Sequence, residues 1–393
     1  MMNMRAKNLK FAAKAIPKRS IKSIGLLLDN KKTIWHIFKK NGVRAAYNFA
    51  WTKVFVKEAG PAVINPLFSV FPSLAPYPTH IEIEVTTRCH LKCAFCEHRY
   101  WTEKPADMSF ENFKYLIGQF PRLKWVGFAG IGSNFLNKDY MKMLKYLKDK
   151  GVYVSFVDHF DRTTEEISRQ LVDLGINHIE ISMDGATKET YESIKVGCNF
   201  ERTLKNISDL VAIKKETKSP LPEIMFRYIV TKQNIKEAPD FVKIISQIKK
   251  LGKLREDRNA ELEYTGLLAF EGNKEYALDS FPQEIKEKIA LEAKKEGVSI
   301  SFAHQNPQNK RPRHTCAAWV EPFIFADGEV MACCAQNENN KREAQREKSF
   351  GNVFKTPFKQ IWYSKKYKDF RNSVPRHGAP TPNWCEGCRI TDI

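Results

Sequence analysis

From Ile81 to Leu268 the apolar residues keep a regular rhythm. Short runs rich in β-branched and aromatic residues occupy 81–85, 125–129, 152–157, 178–183, 223–230 and 261–268. Their length and composition predict strands. Between them, apolar residues fall three and four apart, as over 138–150, 163–174, 200–215 and 235–251, which predicts amphipathic helices. Six strands alternating with helices predict an α/β chain whose parallel sheet winds into an incomplete β/α barrel. Such barrels carry their chemistry on the loops that follow the C-terminal ends of the strands.

Both flanks depart from this rhythm. Residues 4–57 read as basic amphipathic helices, with Trp35, Phe38, Tyr47, Phe49, Trp51 and Phe55 set among lysines. The next stretch, 61–81, has no charged residue and five prolines, so no continuous helix can form there. At the other side, 271–299 reads as a helical connection rich in Glu and Lys. From 300 onward cysteine, proline and asparagine rise and the periodicity fades, as in a small domain that leans on a metal site. The expected organisation is a helical extension over 1–80, a barrel over 81–299 and a smaller domain over 300–393.

Composition sharpens this in two places. At 42% apolar residues the chain can bury a large core, so disorder is not the default. The net charge is +19, and residues 1–60 alone hold 14 Lys/Arg against Asp29 and Glu58. A charge so placed is either a solvated basic arm or a surface for an anionic partner, nucleic acid or lipid. No secretory signal or long apolar run is seen. The expected location is cytoplasmic, either in solution or peripheral on the inner face of the membrane.

Eight of the nine cysteines fall in two groups. The first, "CHLKCAFC", places Cys89, Cys93 and Cys96 directly after the first strand, at the catalytic end of the barrel. A [4Fe–4S] cluster has four irons, and three thiolates leave one of them open, the mark of a reactive rather than a structural site. A zinc site or plain buried thiols are the alternatives. The second group, Cys316, Cys333, Cys385 and Cys388, offers the four ligands that close a cluster or a zinc ion. Cys334 could replace Cys333, and Cys198 reads as a packed thiol.

The first loop resembles that of the radical S-adenosylmethionine (SAM) superfamily, C-x3-C-x-aromatic-C with Phe95 as the aromatic. The resemblance implies a partial (β/α)6 TIM-type barrel, a SAM-binding [4Fe–4S] cluster held by Cys89, Cys93 and Cys96, and an external reductant of the flavodoxin or ferredoxin type. It implies reductive cleavage of SAM to a 5′-deoxyadenosyl radical that abstracts hydrogen from substrate. In "GFAGIGSNFLN", Gly130, Gly132 and Ser133 stand where relatives have a Gly-Gly-Glu-Pro-like turn around the SAM amine, with Ser133 in place of the Glu. In "ISMDGATKETYESIKVG", Ser182 and Lys195 stand where relatives approach the SAM ribose and carboxylate. The C-terminal cysteines resemble the SPASM domain, or its shorter "twitch" form, with a second [4Fe–4S] cluster on Cys316, Cys333, Cys385 and Cys388.

None of this names the substrate. The basic, aromatic extension points to a lipid substrate on an anionic membrane, with hydrogen abstracted from an unactivated carbon for C–C bond formation or dehydrogenation. Modification of a peptide or small polar metabolite is the alternative. A non-enzymatic cluster scaffold with a nucleic-acid-binding arm is the reading from another class, and the open three-cysteine loop disfavours it.

Overall fold

The computed structural model describes residues 23–54, 75–255, 260–267, 272–303, 321–333 and 342–373. The chain enters through α1 (Lys31–Val54), which breaks at Gly42, where φ is 83°. The barrel then runs β1 (His80–Ile83), α2 (Phe110–Gly118), β2 (Trp125–Phe128), α3 (Tyr140–Asp149), β3 (Tyr153–Asp158), α4 (Glu165–Leu174) and β4 (His178–Ser182). It continues α5 (Lys188–Ile194), α6 (Phe200–Glu216), β5 (Glu223–Val230), α7 (Ala238–Leu251), β6 (Leu262–Gly266), α8 (Gln283–Glu296) and β7 (Ile300–Ala303). Last come β8 (Phe323–Ile324), β9 (Val330–Met331), α9 (Arg342–Glu347), α10 (Phe358–Trp362) and α11 (Lys365–Ser373).

The sheet order is β7-β6-β5-β4-β3-β2-β1-β8-β9. Strands β1 to β7 are parallel, and among the described residues nothing joins β7 to β9, so the barrel is open. The six expected strands are present. A seventh, β7, pairs with β6 from Leu262–Ile300 to Thr265–Ala303; it has four half-exposed residues, too short a run to stand out from the sequence. The sheet also gains β8 beside β1, in parallel register with Glu82 opposite Phe323. The segment after 320 therefore continues the barrel sheet.

Alternation along the strands sorts the side chains. Ile81, Ile83, Ile179, Ile181, Ile224, Phe226, Leu262 and Tyr264 are buried in the apolar layer under the helices. The intervening positions Glu82, Ser155, Glu180, Glu263 and Ser301 line a cavity of about 520 Å³ inside the barrel. Arg227 spans two of these carboxylates, at 2.7 Å from Glu180 and 3.0 Å from Glu263. Burial and the neighbouring Glu82 push Glu321, also on the cavity, up to about 8.

Helix α1 does not hang free. Ile37, Ala45, Ala46 and Phe49 pack with Tyr153 and Leu221. Lys40 donates to Val172 O and Asn48 to Gly151 O, while Lys53 pairs with Glu223. All these partners lie at the N-terminal ends of the strands or just before them. The helix therefore covers the floor of the barrel, opposite the mouth where the cysteine loop sits. Of the uncharged stretch 61–81, residues 61–74 lie outside the described residues.

Candidate functional site

The loop after β1 is held from three sides. Lys92 N donates to Val196 O at 2.9 Å and Ala94 N to Ile194 O at 2.7 Å, which fastens the loop to the end of α5. Asn273 Nδ2 donates to Phe95 O at 2.9 Å, and the Phe95 ring packs with Ile194 and Leu267. Below, Ser133 N donates to Arg88 O at 2.7 Å. The last contact explains Gly132: a Cβ there would meet Thr86 O at 2.2 Å. Gly130 has φ of 146°, and a Cβ would meet Glu84 Cγ at 2.6 Å. Both glycines permit a close approach that no other residue allows.

Cys89, Cys93 and Cys96 come together at the mouth, each half-buried. Burial pushes all three thiols up, Cys93 to about 11, and the charge on Cys89 raises those of both Cys93 and Cys96. Ionising three such neighbours requires a cation. Three electrostatically coupled thiols on one loop are the kind of donor set that the expected [4Fe–4S] group takes.

The structure brings Ser182 and Lys195 together, and Asp184 joins them. Lys195 Nζ lies 2.8 Å from Asp184 and donates to Ser182 Oγ at 3.0 Å. Burial works to discharge this lysine, but the charges of Asp184 and Cys93 outweigh it and its pKa rises. Asp184 O accepts from Asn234 and its carboxylate from Ile229 N, which fixes the pair. Asp158, at the end of β3, is fully enclosed, and burial lifts it to about 7.

Glu84 belongs to none of the sequence motifs. It follows β1 and accepts from Ile131 N at 3.2 Å and Ala326 N at 3.3 Å, while Arg342 grips both its oxygens at 2.7 Å. Burial pushes its carboxyl up, against the pull of Arg342 and the two amides. The guanidinium stacks on Phe325 and Trp101. The pair ties the Gly130–Ser133 turn to the β8–β9 hairpin and α9. A sequence signal existed, since Glu84 continues the polar alternation begun by His80 and Glu82; its arginine lies 258 residues away.

His90 binds Asp161 at 3.0 Å and His98 binds Thr87 O at 3.1 Å, so both serve the loop's scaffold. Cys198 is a buried thiol against Tyr191 and Thr203. Of the second cysteine group only Cys333 is described, half-buried after β9; Cys316, Cys334, Cys385 and Cys388 lie outside the described residues.

Comparison with known proteins agrees with this arrangement. Residues 83–245 match the model of the radical SAM superfamily, and residues 316–389 match SPASM, an iron–sulfur cluster-binding domain. A tungsten-containing aldehyde ferredoxin oxidoreductase cofactor-modifying protein of Pyrococcus furiosus is 25% identical over 80% of this chain and 88% of its own. PqqA peptide cyclase of Bradyrhizobium diazoefficiens is 21% identical over 66% of this chain and 67% of its own. Among solved structures, Streptococcus suis SuiB bound to precursor peptide SuiA superposes with a TM-score of 0.59 at 14% identity, over 84% of this chain and 74% of that one. Cysteine loop, open parallel barrel and C-terminal iron–sulfur match together place the chain in the radical SAM superfamily of enzymes, which use SAM and a [4Fe–4S] cluster, with a SPASM-type auxiliary cluster domain.

Proposed function

We propose that this radical SAM enzyme is a maturase acting on a peptide or another polar substrate admitted to the barrel mouth. The observation that carries this is the wall of the barrel. The cavity sets Glu82, Glu180, Glu263 and Glu321 among Phe128, Tyr153, Phe156 and Met225. An aliphatic chain would offer those carboxylates no hydrogen bond, whereas a peptide brings both amide donors and apolar side chains. Two of the relatives, PqqA peptide cyclase and SuiB with its precursor peptide, are named for peptide substrates, which supports the same class.

The lipid-substrate expectation rested on the basic extension. That extension docks on the floor, roughly one strand length of about 17–20 Å from the mouth. Membrane attachment is therefore a separate question from substrate. Neither PqqA peptide cyclase nor the cofactor-modifying protein is named for a lipid.

In this reading Cys89, Cys93 and Cys96 hold the SAM-binding cluster, which when reduced supplies the electron that cleaves SAM. Cys333 belongs to the auxiliary cluster with Cys316, Cys385 and Cys388. Phe95 seals the loop from behind. The backbone of Gly130, Gly132 and Ser133 lines the approach for the methionyl group. Ser182 and Lys195 address its carboxylate, sharing the ammonium with Asp184. A flavodoxin- or ferredoxin-type protein supplies electrons.

The test uses the anaerobic, cluster-loaded protein with reductant and SAM. It is offered, in separate assays, a uniformly deuterated peptide mixture and a perdeuterated lipid extract. Deuterium in 5′-deoxyadenosine from the peptides supports the proposal. Deuterium from the lipids alone would overturn it.

A further inference from the structure

The floor of the barrel carries a second concavity, remote from the cysteine loop. About 380 Å³ of space lies between the start of α1 and the C-terminal ends of α6 and α7. Its walls are Lys32, His36, Lys214, Lys215, Lys218, Ser219, Pro220 and Lys253, with no carboxylate among them.

Two features set it apart from a chance run of lysines. Lys214 and Lys215 occupy the last turn of α6, where cations answer the helix dipole and need no further purpose. Lys218 is different: its backbone is left-handed, with φ of 52°, a conformation helix ends normally give to glycine. A charged side chain is kept where its backbone is disfavoured, and it faces the cavity. Beside the cavity, on the same helix as Lys32 and His36, Trp35 and Phe38 stack at 5.4 Å. They stay 56% and 43% exposed, with Lys39 over the Trp35 ring.

We propose that this floor pocket binds the phosphate headgroup of an anionic phospholipid, with Trp35 and Phe38 seated at the interface. A pocket lined by cations and no acid selects a phosphate by charge. Exposed aromatics flanking it are the feature that favours a headgroup over a free phosphate, because tryptophan and phenylalanine partition to the headgroup level of a bilayer. Among the described residues no helix is long and apolar enough to cross a membrane, so attachment would be peripheral. With the floor on the membrane, the mouth faces the aqueous side, where a polar substrate arrives. The pocket stands apart from the proposed substrate, and either can fail alone.

The test is sedimentation of the full-length, cluster-loaded protein with phosphatidylcholine vesicles, with and without phosphatidylglycerol. Binding should require phosphatidylglycerol. Lys215→Glu/Lys218→Glu should lower it by about ten-fold or more, and Trp35→Ala should lower it further. Lys232→Glu/Lys236→Glu makes the same charge change beyond the mouth end of β5 and should leave most binding intact. Formation of 5′-deoxyadenosine without vesicles should be unchanged in the floor variants, which shows that they fold. Equal loss from both charge pairs would reduce the effect to bulk charge and overturn the pocket. Pyrophosphate binding at the pocket with no vesicle binding would overturn the headgroup assignment.

Discussion

The two ends of the barrel treat charge in opposite ways. At the mouth, two buried charges have dedicated partners: Lys195 has Asp184 and Ser182, and Glu84 has Arg342 and two amides. At the floor, five lysines and a histidine share one concavity whose lining has no acid. Paired charges in low dielectric are rigid and costly to disturb, which suits a site that must hold a cluster and SAM in register. Cations gathered at a solvent-open surface cost little and attract an anion. If the floor pocket binds a headgroup as proposed, the fold separates precision from attachment along one axis, with chemistry at the C-terminal ends of the strands and attachment at the N-terminal ends.

The contrast breaks most completely at the cysteines. Cys93→Ala should lower 5′-deoxyadenosine formation by about a thousand-fold or more, because the reaction then lacks a ligand of its cluster. Iron and sulfide per chain should fall by the share of the mouth cluster, while vesicle sedimentation stays as in the wild type. Undiminished SAM cleavage would remove the loop from the chemistry.

A smaller but still large effect belongs to the mouth's pairs. Arg342→Met strands Glu84 in a fully buried position, and breaking such a pair costs about 3–5 kcal/mol. Adding Glu84→Gln should recover part of that loss, since no charge then remains uncompensated. Denaturant midpoints of the two single variants and the double variant measure the coupling. Additive losses would show that Glu84 and Arg342 do not act as a pair. Lys195→Met should behave likewise toward Asp184, with the difference that Lys195→Met/Asp184→Asn regains stability without regaining SAM cleavage.

Much of the mouth is legible in the chain alone. The loop "CHLKCAFC", the two glycines and the Ser182–Lys195 spacing are local patterns, and each is local because one loop or one strand end builds it. Glu84 and Arg342 are hidden because their meeting depends on β8 pairing beside β1, a contact across 258 residues that no window of sequence contains. Asp184 stands within the same segment as Ser182, but only the turn of the chain after β4 shows that it, rather than solvent, meets Lys195. The floor misleads for a related reason. The basic and aromatic residues of α1 are visible, yet nothing in their spacing tells which face is spent on the barrel. Ile37, Ala45 and Phe49 take that face and leave Trp35 and Phe38 outside. The strand β7 is hidden because four half-exposed residues carry too little pattern.

The floor also buries Lys148 without the paired acid that Lys53 has in Glu223, and this lysine gives the finest test of the comparison. Lys148 is buried, and its amine reaches only neutral acceptors, Asn177 Oδ1 at 2.6 Å and Val152 O at 3.2 Å. With no carboxylate to offset desolvation, burial lowers its pKa to about 7 from the ordinary 10.5. Between those values the unfolded chain holds one proton that the folded chain has released. Stability therefore rises with pH across that window, at a limiting rate of about 1.4 kcal/mol per pH unit for a single group. Below about pH 7 the folded amine is charged as well, and this contribution levels off at its unfavourable limit. Lys148→Met should remove the rise. The difference between wild type and variant, read from urea midpoints at several values between about pH 7 and pH 8.5, should shift steadily in favour of the wild type as pH increases. Parallel curves would mean that Lys148 keeps its proton in the folded protein, and that an isolated cation can be buried at this end as cheaply as a paired one at the other.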